Sequence, residues 1–73
     1  MQLVNSRRMM VEKMVRRQAE KLGLSVYACE HGQQAAVTSL QAGASAFRAI
    51  QEGIAAAETK RLMLIIDNVT SAA

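Results

Sequence analysis

The stretch Val37-Thr38-Ser39-Leu40-Gln41-Ala42-Gly43-Ala44-Ser45-Ala46-Phe47-Arg48-Ala49-Ile50-Gln51-Glu52-Gly53-Ile54 decides the fold. Within it Val37, Leu40, Ala44, Phe47, Ile50 and Ile54 recur every three or four residues, a spacing that stacks side chains on one side of a helix. Ala35, Ala36, Ala42, Ala46 and Ala49 flank that stripe and are the strongest helix formers. Proline, which removes a donor and clashes with the preceding turn, is absent from all 73 residues. The expectation is an all-α chain of two or three amphipathic helices, as a helical hairpin or as extended helices that assemble with other chains.

Working outward, the spacing predicts one helical module with a basic helix over about 7–22, an alanine-rich helix over about 25–52 and a C-terminal helix over about 54–70. Leu3, Val4, Met10, Val11, Met14 and Leu22 make the apolar side of the first segment, with Val15 and Ala19 at its margin. Asn5 or Ser6 is a candidate cap for it. Gly23 follows Lys21 and Leu22, the pattern of a helix stop with a basic last turn, and Ser25 is placed to cap the next helix. His31-Gly32 and Glu52-Gly53 are the other candidate breaks, whereas Gly43, set among alanines, reads as a point of close helix approach. Leu62, Ile65, Ile66 and Val69 share one side of the last segment, and Thr70 to Ala73 are expected to fray. No internal repeat is evident along the chain.

A chain this short buries only a modest fraction of its surface, and small domains gain stability from disulfides, metals or neighbouring chains. Cys29 is the single cysteine, so an internal disulfide is excluded, and with His31 alone it does not complete a metal site. Partner chains are the remaining source. A lone cysteine fits the cytoplasm or another reducing compartment. The first residues lack the apolar core and cleavage site of a secretory signal, and Leu62 to Ile66 is far shorter than a membrane span.

Catalytic residue types meet only at Cys29-Glu30-His31, where helical geometry points neighbours about 100° apart and no second histidine completes a triad. The expectation is therefore no enzyme, no cofactor and no small-molecule substrate. Tyr27 and Phe47 are the two aromatics, and the alanine and methionine that replace them suit helix-on-helix packing better than a shaped pocket. The packing and assembly residues expected on this basis are Val37, Leu40, Gly43, Ala44, Phe47, Ile50, Leu62, Ile65 and Ile66.

The net charge of +3 is concentrated at the start of the chain. Arg7, Arg8, Lys13, Arg16, Arg17 and Lys21 outnumber Glu12 and Glu20 there, while the rest is nearly neutral. Arg8, Glu12, Arg16 and Glu20 alternate in sign at four-residue steps, which supports a helix. Lys13, Arg17 and Lys21 form a second row without acidic relief. These six basic residues are the candidate contact with an anionic surface, against the plain alternative of a solvated helix face. An anionic membrane is favoured over nucleic acid, because no aromatic interleaves with the basic residues to stack on bases.

Three stretches carry a family resemblance: Val26-Tyr27-Ala28, then Gln41-Ala42-Gly43-Ala44-Ser45-Ala46-Phe47-Arg48, then Ile65-Ile66-Asp67-Asn68-Val69. Together they resemble the middle of the ESCRT-III fold of the charged multivesicular body proteins. There an elbow leads into a helix with a small-residue, apolar and basic cluster, followed by an apolar/acidic helix, here Glu58 to Asp67. The basic helix from Arg7 to Lys21 is similar to the end of that family's long basic hairpin. The resemblance implies helical polymers on deformed membranes. It assigns Arg16, Arg17 and Lys21 to lipid or inter-subunit contact, and Gly43, Phe47 and Ile50 to packing.

The function expected is a non-enzymatic helical self-assembly module that binds other copies of itself, with ESCRT-III-like membrane remodelling as its specific form. The alternatives are a small structural subunit of a larger protein assembly, such as a secretion, phage or organellar complex, and a basic nucleic-acid-binding helical protein.

Overall fold

Three α-helices make up the computed structural model, which describes the backbone of residues 2–72 and the side chains of residues 6–67. They are α1 (Gln2–Lys21), α2 (Val26–Gln41) and α3 (Ala46–Ala72). The all-α expectation holds, as three helices. The parts given above to the side chains of Leu3, Val4, Asn5 and Val69 lie outside the described residues; of the stretch 70–73 expected to fray, 70–72 are instead the last residues of α3, and Ala73 lies outside the described residues.

The two turns are built alike. Gly23 and Gly43 have φ of 75° and 98°, the left-handed region that an L side chain resists. At the first turn the Gly23 amide donates to the Glu20 carbonyl and the Leu24 amide to the Ala19 carbonyl. At the second, the Gly43 amide donates to the Leu40 carbonyl and the Ala44 amide to the Ser39 carbonyl. This paired pattern satisfies carbonyls that a helix end leaves open. A serine then starts each following helix. Ser25 Oγ accepts from the Ala28 amide at 3.3 Å, and Ser45 Oγ accepts from the Arg48 amide at 3.2 Å.

The helix expected over 25–52 is therefore two helices, cut at 42–45. Gly43 is the cause: a side chain added there would meet nothing within 4 Å, so it terminates a helix and is not a close-approach point. The breaks considered at Gly32 and Gly53 do not occur, since both lie inside helices. Ser6 is likewise within α1, which begins before it.

Gly32 and Gly53 take the close-approach role instead. A Cβ on Gly32 would stand 2.6 Å from the Gly53 carbonyl oxygen and 2.9 Å from Ala57 Cβ. A Cβ on Gly53 would stand 2.8 Å from the Gly32 carbonyl oxygen and 2.9 Å from Ala36 Cβ. These reciprocal contacts set the antiparallel register of α2 and α3, with Ala28 by Ala57, Gly32 by Gly53 and Ala36 by Ala49. Val15 of α1 lies over the crossing, 3.2 Å and 2.8 Å from the two added Cβ positions. Val11 packs with Ala36 and Ala49, and Ala19 with Ala28 and Ala57.

The core is thin. Val11, Val15, Ala19, Leu24, Ala28, Cys29, Ala36, Ala49 and Ala57 are its buried apolar residues, with no buried polar or charged side chain among the described residues. Val15 and Ala19, placed above at the margin of α1, are fully buried, whereas Met10 and Met14 face outward. Small side chains allow close backbones, which is why the crossing of α2 and α3 rests on two glycines and not on large aliphatic knobs.

The paired helices also reveal an internal similarity that was not evident in the sequence. Gly23-x-Ser25-x-Tyr27 matches Gly43-x-Ser45-x-Phe47. One residue later in register, Ala28, Gly32, Ala35, Ala36 and Thr38 match Ala49, Gly53, Ala56, Ala57 and Thr59. The hydroxyls of Thr38 and Thr59 even donate to equivalent carbonyls, those of Gln34 and Ala55, at 2.9 and 3.0 Å. The one-residue offset between turn and core patterns hid this repeat.

Candidate association surface

The register fixes what α3 leaves uncovered. Ala19 shares a layer with Ala28 and Ala57, so α1 ends and α2 begins within about one helical turn of that layer. From about residue 60 onward α3 runs past both neighbours. A longest dimension of 50 Å, more than the length of any one helix, agrees with this staggered arrangement.

Five consecutive apolar residues, Leu62 to Ile66, lie on this overhang. Leu64 is half-buried on the side nearest the bundle. Leu62 follows Gly53 by nine residues and Ile66 follows Ala57 by nine, and nine residues at 100° each place them half a turn from the core line. They accordingly stand 59% and 61% exposed, with Met63 and Ile65 about half exposed. Among the described residues, no other helix reaches this side. Leu22, Val26 and Tyr27 are exposed at the α1–α2 turn, at the same end of the bundle.

The other expected packing residues divide. Ile50 and Leu40 lean on the cluster of Val11, Val15, Ala36 and Ala49, and Val37 and Ala44 are half-buried. Gly43 is exposed in the turn, and Phe47 is 71% exposed. Phe47 occupies the first turn of α3, where the helix period set by Ala49, Gly53 and Ala57 turns it outward. The stripe that linked it to Val37 and Leu40 required a continuous helix, which Gly43 interrupts.

On α1 the six basic residues separate into two groups. Arg8 pairs with Glu12 at 3.3 Å and Arg16 with Glu20 at 3.8 Å, both exposed pairs four residues apart. Arg7, Lys13, Arg17 and Lys21 have no ion-pair partner among the described residues. Lys13, Arg17 and Lys21 lie with Met10 on the side of α1 turned away from Val11, Val15 and Ala19, with Met14 at its edge.

Elsewhere the chemistry is sparse. An open cleft of about 410 Å³ between α1 and α2 is lined by Arg8, Glu12, Glu30, Gln33, Gln34, Val37 and Thr38. Gln33 is committed there, its side-chain amide donating to the Glu12 carbonyl at 2.9 Å. Cys29 is buried with its thiol toward the Leu24 carbonyl at 3.9 Å, while Glu30 and His31 are exposed. The described residues hold no group of three or more His, Cys, Asp or Glu arranged for a metal ion, and no helix is long and apolar enough to cross a membrane. Compared with protein-family models, with curated proteins and with solved structures, the chain matches none of them.

Proposed function

We propose that the chain is a non-enzymatic helical association module whose principal contact is the outer side of the α3 overhang. The observation that supports this reading is the exposure of Leu62, Ile65 and Ile66 on a helix segment apolar around its circumference. A helix of that kind is stable when surrounded, and an apolar surface of this sort marks an interaction site. The thin alanine core supplies the second reason, because a bundle this small gains stability from company. The occupant best matched to the surface is another copy of the chain.

Sedimentation velocity over a broad concentration range tests the reading. The wild-type chain is expected to grow in mass with concentration, and Leu62→Glu with Ile66→Glu to grow less over the same range with unchanged helicity. A wild-type chain that stays monomeric at millimolar concentration overturns it.

A second reading, contact with an anionic membrane surface, is favoured by the outward row Lys13, Arg17 and Lys21 beside Met10 and Met14. Each cation near such a surface contributes roughly 1 kcal/mol. Co-sedimentation with phosphatidylserine vesicles that disappears at high salt is the expected result for it. Membrane remodelling of the ESCRT-III kind would require both surfaces to act together.

A further inference from the structure

We infer that the α2–α3 turn is a hinge, and that two copies of the chain exchange α3 to form a domain-swapped dimer in which α2 and α3 are one continuous helix. The inference goes beyond the association reading above: the exchange joins two chains through their α2–α3 contacts and leaves the outer side of the α3 overhang as exposed as in the closed hairpin, free for the contact proposed there.

Three observations carry it. The first is a small-residue row whose spacing in the sequence carries on through the residues of the turn. Steps of four and three lead from Ala28 through Gly32, Ala35 and Ser39 to Ala42, and the same alternation continues through Ala46, Ala49, Gly53 and Ala56. Such spacing keeps one face toward a partner helix when the helix is continuous. In the closed hairpin Ala42 is exposed, so the row is interrupted where it would cross the turn.

The second is the reciprocal packing of Gly32 on Gly53, with Ala57 and Ala36 as their counterparts. In the opened form the same contacts form between two chains, Gly32 of each on Gly53 of the other, and the two-fold axis of the dimer passes through the residues of the turn. The hydrogen bond from the Ser39 hydroxyl to the Glu52 carboxylate is re-formed across the interface in the same way.

The third is a difference between two otherwise matching turns. Leu24 anchors the first, buried at 8% exposure in the core cluster with Ala19 and Ala28. Its counterpart Ala44 is only half-buried, and Ala42, Gly43 and Ser45 are exposed. Opening the second turn therefore uncovers almost nothing, and Ala42 and Ala44 favour the helix that results. Exchange of an identical element costs little beyond the hinge itself.

Two substitutions move the equilibrium in opposite directions. Gly43→Ala strains the closed turn, whose φ is 98°, and favours the open helix, shifting the balance on the order of a thousandfold toward the dimer when both chains are counted. Ala46→Pro suits the first position of a separate α3 but removes a hydrogen bond from a continuous helix.

The test is pulsed electron–electron resonance on chains carrying Cys29→Ala and spin labels at Glu30→Cys and Ala55→Cys. Labelled chains are unfolded and refolded with excess unlabelled chain, so that only distances within one chain are read. The closed hairpin brings the labels within about 20 Å, and the continuous helix separates them by about 38 Å. Gly43→Ala is expected to give the long distance at dimer mass, concentrated wild-type chain to give both distances, and Ala46→Pro the short one alone. A Gly43→Ala chain that keeps the short distance, whether monomeric or associated, overturns the hinge. Association at the short distance that is lost with Leu62→Glu and Ile66→Glu would leave the overhang reading standing without it. Loss of concentration-dependent mass in the wild type would remove that reading instead.

Discussion

Gly32 and Gly53 lie back to back, each placing its backbone carbonyl where a side chain on the other would have to go. The clearances, 2.6 and 2.8 Å to a hypothetical Cβ, are below any real contact of that kind. Gly32→Ala and Gly53→Ala should each destabilise the chain by about 2 kcal/mol or more, because overpacking outweighs the roughly 1 kcal/mol that alanine gains in a helix. Thermal or urea unfolding reads this directly. Val15→Ala should rescue Gly53→Ala only in part, since it removes Val15 Cγ2 at 2.8 Å but leaves the Gly32 carbonyl oxygen, also at 2.8 Å, which is backbone and cannot withdraw. Either glycine variant as stable as wild type would show that the helices cross elsewhere.

The matched serine caps give a second prediction. Ser25→Ala and Ser45→Ala should each cost about 1 kcal/mol, the usual loss when a cap oxygen is removed from an amide. Equal losses would follow from equal geometry, 3.3 and 3.2 Å to the amides of Ala28 and Arg48. Chemical denaturation with unchanged m-value is the check. A negligible loss at both sites would contradict the assigned helix starts.

Phe47 provides a contrast to the core. At 71% exposure, Phe47→Ser should change stability by less than about 0.5 kcal/mol. Ala49→Phe, two residues on at a fully buried position, should cost about 1–3 kcal/mol or prevent folding. A large loss from Phe47→Ser in dilute solution would mean that this ring packs on α1 or α2 after all.

Cys29 reports the closed bundle chemically. The residue is 4% exposed, so a thiol reagent should label it slowly in the native chain and at once in denaturant. Fast native labelling would show that α2 does not pack as described.

The helical class was legible in the sequence because alanine content, absent proline and three-to-four spacing all point one way. The role of each glycine was not. Gly43 sits among alanines and looks like a packing contact, yet it ends α2. Gly32 and Gly53 follow a histidine and a glutamate and look like breaks, yet they form the crossing. A helix tolerates glycine at modest cost, so only the tertiary partner distinguishes a stop from a close approach. On the surface side, Leu62, Ile65 and Ile66 were readable as one stripe of a helix. That the stripe faces away from the bundle follows from the register of Ala57 against Ala19 and Ala28, which no local pattern encodes. On α1, the same limit put Met10 and Met14 on the apolar side and Val15 at its margin, because three methionines beside a valine do not declare which of them the bundle covers.

A second chain covering the outer side of the α3 overhang is the contact on which the proposed association rests. Methyl NOEs between isotope-labelled and unlabelled chains, mixed at a concentration where the mass has increased, measure this contact residue by residue. Inter-chain NOEs should appear at the methyls of Leu62, Ile65 and Ile66. An associated sample with no inter-chain NOE at those three residues would contradict it.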